Sequence, residues 1–170
     1  MDAKSHSYTG CLLGATAVVA SSGISKESIM LIPLGALLGT LGGLTPDIDK
    51  RGSRISHKFP ILSFISEKAF GHRGILHTPF FVLLLEILCV ALCKVFNLSN
   101  EFVYLYQIFI IGYLSHLVLD FITPRGIMLA YPVSRSYVHI IGLNSRFRNE
   151  IVNIIITLIV GLTIYFKFIV

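Results

Sequence analysis

Seven histidine and aspartate side chains in this chain fall at spacings that suit metal coordination: His6, Asp47, Asp49, His72, His77, His116 and Asp120. His116 and Asp120 are four residues apart in an apolar run, and on a helix that spacing places both on one face. Such a pair either gives two ligands to one ion or uses the carboxylate to orient the imidazole. A buried polar pair between helices is the plainer alternative. Asp47 and Asp49 follow Pro46, and in an extended segment both would point the same way, offering hard oxygen ligands to a divalent cation. Solvated loop acids are the competing explanation. His72 and His77 lie in Phe70-Gly71-His72-Arg73-Gly74-Ile75-Leu76-His77-Thr78-Pro79. They are five apart, not the four of an H-E-x-x-H helix, so a turn or helix start must come between them, and Gly74 permits one.

A structural zinc site takes four protein ligands, commonly with cysteine among them. Here the candidates are all His and Asp; Cys11, Cys89 and Cys93 lie in apolar runs and read as small membrane-embedded side chains. The donor set favours a catalytic site for one or two divalent ions, zinc first, with manganese or magnesium as alternatives. Asp49 or Asp120 would double as general base. Arg73 would clamp a phosphate or stabilise transition-state charge, although an arginine placed for topology or lipid headgroups weighs equally. His57 and His139 have no partners at ligand spacing. Glu67 and Glu86 are weaker candidates, Glu86 because it sits mid-span, where another helix would satisfy it.

The elements that must position these groups are membrane segments. The 170 residues are 54% hydrophobic and only 14% charged, with a mean hydropathy of +0.79. That balance excludes an ordinary soluble domain and predicts an all-α, polytopic helical bundle forming a single domain over residues 1–170. No cleavable leader is evident before the first apolar run. Five apolar segments are expected, at residues 8–21, 28–44, 78–96, 102–122 and 151–170. Gly10 and Gly14 form a G-x-x-x-G pair, and Gly35, Ala36 and Gly39 a second small-residue face; both read as helix-packing surfaces.

With five spans, the N-terminus and the long connections 45–77 and 123–150 share one side. Eleven lysines and arginines fall there, against Lys26, Lys94 and Lys167 on the other. This bias makes the N-terminus and long loops cytoplasmic. The net charge of +5 is then a topology signal; the basic residues are dispersed and carry no nucleic-acid reading motif. The same topology puts all seven ligand candidates at one membrane face. Pro124 and Gly126 predict a turn directly after Asp120, and the segment beyond it, with aromatics and Arg135, reads as an amphipathic interfacial loop, with a lid or short hairpin as the alternative.

In order along the chain, His6, Leu44-x-Pro46-Asp47-Ile48-Asp49, Phe70-Gly71-His72-Arg73-Gly74-x-x-His77-Thr78, Gly112-Tyr113-Leu114-Ser115-His116-x-x-x-Asp120 and Thr123-Pro124-x-Gly126-Ile127 resemble the motifs of YdjM-type membrane-bound metal-dependent hydrolases. The likeness runs to about Pro132 and is loose beyond it. It implies a prokaryotic integral membrane protein with a metal-dependent hydrolase site built from His6, Asp47, Asp49, His72, Arg73, His77, His116 and Asp120. The expected function is hydrolysis at the cytoplasmic membrane interface, with the phosphate ester of a phospholipid or lipid-linked molecule as first choice because basic residues surround the site. An amide or acyl-ester lipid is the nearest variant. The rival class is a non-enzymatic metal-binding membrane protein, either a transporter or a scaffold.

Overall fold

The computed structural model describes residues 2–22, 25–50, 54–58, 60–61, 63–64, 68, 74–140 and 145–168. Among the described residues six α-helices are named in chain order: α1 (Ala3–Ser22), α2 (Lys26–Leu44), the short α3 (Arg54–Lys58), α4 (Pro79–Phe96), α5 (Asn100–Phe121) and α6 (Ser145–Phe168). No strand occurs among the described residues; Ile127 and Val138 form one isolated antiparallel bridge. The expected all-α membrane bundle is what the chain forms.

Five helices have 18 to 24 residues. At about 1.5 Å per residue each is long enough to cross a hydrocarbon layer of about 30 Å, or nearly so. By length and apolar character together, three stretches qualify: Ile29–Asp49, α4 and α5. The last helix contributes a shorter apolar stretch, Asn149–Ile164. The expectation of about five spans is therefore met in helix number, but two of the five are less apolar than a lipid-facing span. In α1 the reason is plain: the helix starts at Ala3, earlier than expected, and takes in Lys4, Ser5, His6, Ser7 and Thr9.

The interior is a three-helix seam of α1, α2 and α5, held by backbone contact. A Cβ on Gly10 would run into the Gly39 carbonyl, one on Gly14 into the Gly35 carbonyl, one on Gly42 into the Phe109 carbonyl, and one on Gly112 into the Gly39 carbonyl. The two small-residue faces seen in the sequence therefore meet each other, and Gly112 of α5 joins them. Membrane helices gain little from apolar burial, since lipid is as apolar as a side chain; close backbone approach supplies dispersion contact instead. Around the seam, Val82, Ile110, Tyr113, Leu117 and Ile127 form a buried apolar cluster linking α4, α5 and the segment after it.

The connections match their composition. Between α4 and α5, Asn97 adopts a left-handed φ of 53°, and Ser99 caps α5 by accepting from Phe102 N at 3.4 Å. After α5, Gly126 has φ 69° and its N–H donates to the Thr123 carbonyl at 3.0 Å, the turn expected from Pro124 and Gly126. The chain then returns: Ile127 and Val138 exchange backbone hydrogen bonds of 3.0 and 2.9 Å, and Ile140 N donates to the Phe121 carbonyl at 3.2 Å. This is the short hairpin alternative rather than an open loop.

Candidate metal centre

Six of the seven predicted ligands are described, and all six are buried at one end of the bundle. That end is where α1 begins, α2 ends, α4 begins and α5 ends. His6 comes from the first two turns of α1. Asp47 and Asp49 sit in the 3-10 helix Thr45–Asp49 that prolongs α2. The segment is thus not extended, as the sequence suggested. Pro46 holds a helical φ and occupies the first turn, where its missing N–H costs nothing, so the chain stays coiled to Lys50, whose N–H donates to the Asp47 carbonyl at 3.1 Å. His77 closes a second 3-10 helix, Ile75–His77, which starts directly after Gly74, where a turn was expected. Thr78 caps α4 by accepting from Phe81 N at 3.2 Å, and its hydroxyl donates to the Ile75 carbonyl at 2.6 Å. His116 and Asp120 lie in the last turns of α5.

These side chains face one another closely. His6 Nε2 is 3.5 Å from Asp120 Oδ1, while His77 Nε2 and His116 Nε2 are each 3.7 Å from Asp120 Oδ2. His77 Nδ1 is 3.3 Å from Asp49 Oδ2. The His6 and His116 rings stack with centroids 3.7 Å apart and planes 16° from parallel. Two sets offer ligand atoms that all lie within 4.8 Å of one another: His6, His116 and Asp120, and Asp47, His77 and His116.

The tautomer of His116 follows from its partner. Nδ1 is 2.7 Å from the Gly43 carbonyl, which can only accept, so Nδ1 carries the proton and Nε2 presents its lone pair to the cluster. Gly43 is itself part of the seam, since a Cβ there would come within 2.6 Å of the His6 carbonyl. Burial holds the His77 pKa below the ordinary imidazole value, with the Asp49 carboxylate beside it acting in the opposite sense. His77 is therefore biased toward the neutral form, the form that ligates metals.

Among the described residues, His6 Nδ1, both ring nitrogens of His77 and His116 Nε2 are buried without a hydrogen bond. Buried polar atoms are rarely left so. The N···O separations of 3.3 to 3.7 Å are longer than good hydrogen bonds of about 2.7–3.2 Å. Two ligands that each sit about 2.0–2.2 Å from one tetrahedral ion are about 3.3–3.6 Å apart, so an inward shift of about 0.1–0.4 Å brings the 3.7 Å pairs to that spacing. The donors present fit a divalent cation.

His72 and Arg73 lie outside the described residues, as does Glu67. His57 and His139 are exposed. Glu86 is far from the cluster and is paired with Gln107 of α5, whose Nε2 donates to Oε2 at 3.2 Å; another helix satisfies it, as expected of a mid-span acid. Two supporting groups had no assigned role in the sequence. One is the Gly43 carbonyl, whose only trace is the Gly42-Gly43 pair. The other is Tyr113, fully buried, whose hydroxyl donates to the Leu76 carbonyl at 2.6 Å and ties the His77 turn to α5.

Fold and cluster together define a multi-pass α-helical membrane protein with a buried His/Asp group able to hold a metal. The chain matches the family model for the YdjM inner membrane protein over residues 1–169, and it belongs to that family. It is similar to the protein YvsG of Bacillus subtilis (strain 168), with 37% identity over 99 residues, 58% of each chain. It is also similar to the inner membrane protein YdjM of Escherichia coli (strain K12), with 35% identity over 90 residues, 52% of this chain and 44% of the relative. The chain thus spans about half the length of the curated relatives it matches. No solved structure matches it.

Proposed function

We propose that this protein is a membrane-embedded metal-dependent hydrolase that cleaves a phosphate ester of a phospholipid or lipid-linked molecule at the cytoplasmic face of the membrane. The observation that carries the reading is the pair of buried, unbonded Nε2 atoms of His77 and His116, each 3.7 Å from Asp120 Oδ2. His6, His116 and Asp120 would hold the ion, with His77 and Asp47 completing the group. His116 has one available nitrogen, so the two sets that share it are better read as parts of one site than as two sites. A bound divalent ion, zinc by the N/O donor set, supplies Lewis-acid polarisation of the phosphoryl group and a nucleophile at neutral pH.

The protein's own groups do the rest. Asp49 lies against His77 Nδ1 and fixes that ring, leaving Nε2 toward Asp120. The oxygens of Asp49 and Asp120 are also the positions from which a proton is taken from attacking water. Arg73 clamps the substrate phosphate in this reading. Against a transporter stands the gathering of the described site residues at one end, where a carrier would spread ionisable groups through the bilayer.

Elemental analysis of the purified protein, followed by phosphate release from a membrane lipid extract by wild type and His116→Ala, tests the proposal. The expected result is bound zinc with turnover in the wild type, and loss of both in a variant that stays folded. Wild-type protein purified without chelator and lacking stoichiometric metal overturns it. For the topology, a thiol probe applied from outside should fail to label Lys58→Cys.

A further inference from the structure

The face of α1 opposite His6 borders a second polar feature. Lys4, Ser7, Tyr8 and Cys11 line an open groove of about 540 Å³ bordered by Thr40 of α2 and Asn153 of α6. A cavity of about 240 Å³ continues along α6, sharing Tyr8 and Asn153 and adding Ile154, Thr157 and Leu158. The Tyr8 hydroxyl and Thr157 Oγ1 are 2.9 Å apart at their junction. Asn149, Asn153 and Thr157 recur every four residues and so share a face of α6. The Oδ1 atoms of Asn149 and Asn153 are buried, with no hydrogen-bond partner among the described residues.

We infer that this groove holds an anionic phospholipid with a hydroxylated headgroup, of the phosphatidylglycerol type, as a bound lipid distinct from any substrate. The charge argument is direct: among the described residues lining the two cavities Lys4 alone is charged, and it is a cation. Its ammonium meets the phosphate, and the Ser7 and Thr40 hydroxyls, whose protons go to the Lys4 and Ala36 carbonyls at 2.9 and 2.8 Å, accept from the hydroxyls of the headgroup. Depth agrees. Lys4 and Ser7 lie within the first two turns of α1, about 8 Å or less from its start, which is headgroup depth for a helix beginning at the interface. Beyond them Ile154 and Leu158 are more than half exposed, a surface for acyl chains. The volume is within the range of about 300–1,000 Å³ typical of small-ligand sites. The lipid would brace the outer face of α1, the less apolar helix that carries His6 on its other side.

Native mass spectrometry of the full chain tests this, after exchange into detergent containing equal phosphatidylglycerol and phosphatidylcholine with matched acyl chains. Wild type should retain one phosphatidylglycerol, with about a tenfold preference, the size expected for one charge-assisted contact. Lys4→Gln, a substitution at an exposed side chain that leaves the fold intact, should abolish the preference. Asn153→Leu should weaken retention, and Lys94→Gln, an equal charge change at the other end of the bundle, should leave it unchanged. Equal retention of the two lipids by wild type overturns the inference. So does a preference that survives Lys4→Gln, or a dimer that carries no lipid, which would mean a second copy of the chain occupies the groove.

Discussion

α4 and α5 are adjacent, both apolar enough to cross a membrane, and joined by a tight connection, yet they are used in opposite ways. Of the most apolar 18-residue stretch of each, 44% is buried in α5 and 6% in α4. Leu83, Leu84, Ile87, Leu88 and Val90 of α4 face outward. α5 instead presents Gly112 to Gly39 and buries Tyr113, Ser115, His116 and Asp120. Apolar character alone therefore decides only that a helix can enter the bilayer. Small residues decide which helix goes to the middle, and the middle helix is the one that can carry a buried polar site. Ionisable groups follow the same division: His116 and Asp120 on α5 converge with groups from three other segments, while Glu86 on α4 finds one amide partner on the bundle's rim.

The sharpest way to break this contrast is Gly39→Leu, which drives a side chain into the α1 backbone at Gly10 and Gly14. The expected outcome is loss of the folded, monodisperse protein. Leu88→Ala on the exposed face of α4 should shift stability by no more than about 0.5 kcal/mol. Thermal unfolding in detergent compares the two, and equal melting temperatures would remove the seam as the organising contact. Next in size is Asp120→Ala, which takes away the carboxylate nearest three histidines. Bound metal should fall to below about one tenth of the wild-type amount while helical circular dichroism is retained; collapse of the helices with the metal would instead favour a scaffold.

Tyr113→Phe removes only the bond to the Leu76 carbonyl. It should cost about 1–3 kcal/mol and weaken metal affinity about tenfold through the loosened His77 turn, measured by competition with a chelating dye. The smallest effect belongs to α4: Glu86→Gln keeps a hydrogen-bonding group opposite Gln107 and should change neither metal content nor stability by more than about 0.5 kcal/mol. A large loss of metal there would mean the mid-span pair on the rim is coupled to the buried cluster.

Much of this was legible in the residues because membrane helices announce themselves by composition and cannot expose backbone to lipid. The gathering of His6, Asp47, Asp49, His77, His116 and Asp120 followed from counting helices, since an alternating chain must return each of these segments to the same face. The 45–49 segment was misread as extended: two acids after a proline suggest a loop, but Pro46 is compatible with a first helical turn, and α2 simply tightened into 3-10 form. The lengths of α1 and the hairpin after α5 were hidden for a similar reason. Serines, a lysine and a histidine mask the helical start at Ala3, and a single bridge between Ile127 and Val138 leaves no alternating pattern to read. The role of the Gly43 carbonyl was out of reach, because the Gly42-Gly43 pair signals close packing and not which backbone acceptor a histidine will use.

The pairing of His6 with Asp120 also fixes when the site can come into being. During synthesis His6 leaves the ribosome more than a hundred residues before Asp120, an interval on the order of ten seconds at about 5–20 residues per second. Throughout it, α1 and α2 can already close their glycine seam, but Asp120 and the Nε2 of His116 do not yet exist beside them. The cluster is thereby completed only after membrane insertion of α5, so a chain arrested before that helix carries His6, Asp47, Asp49 and His77 but neither His116 nor Asp120.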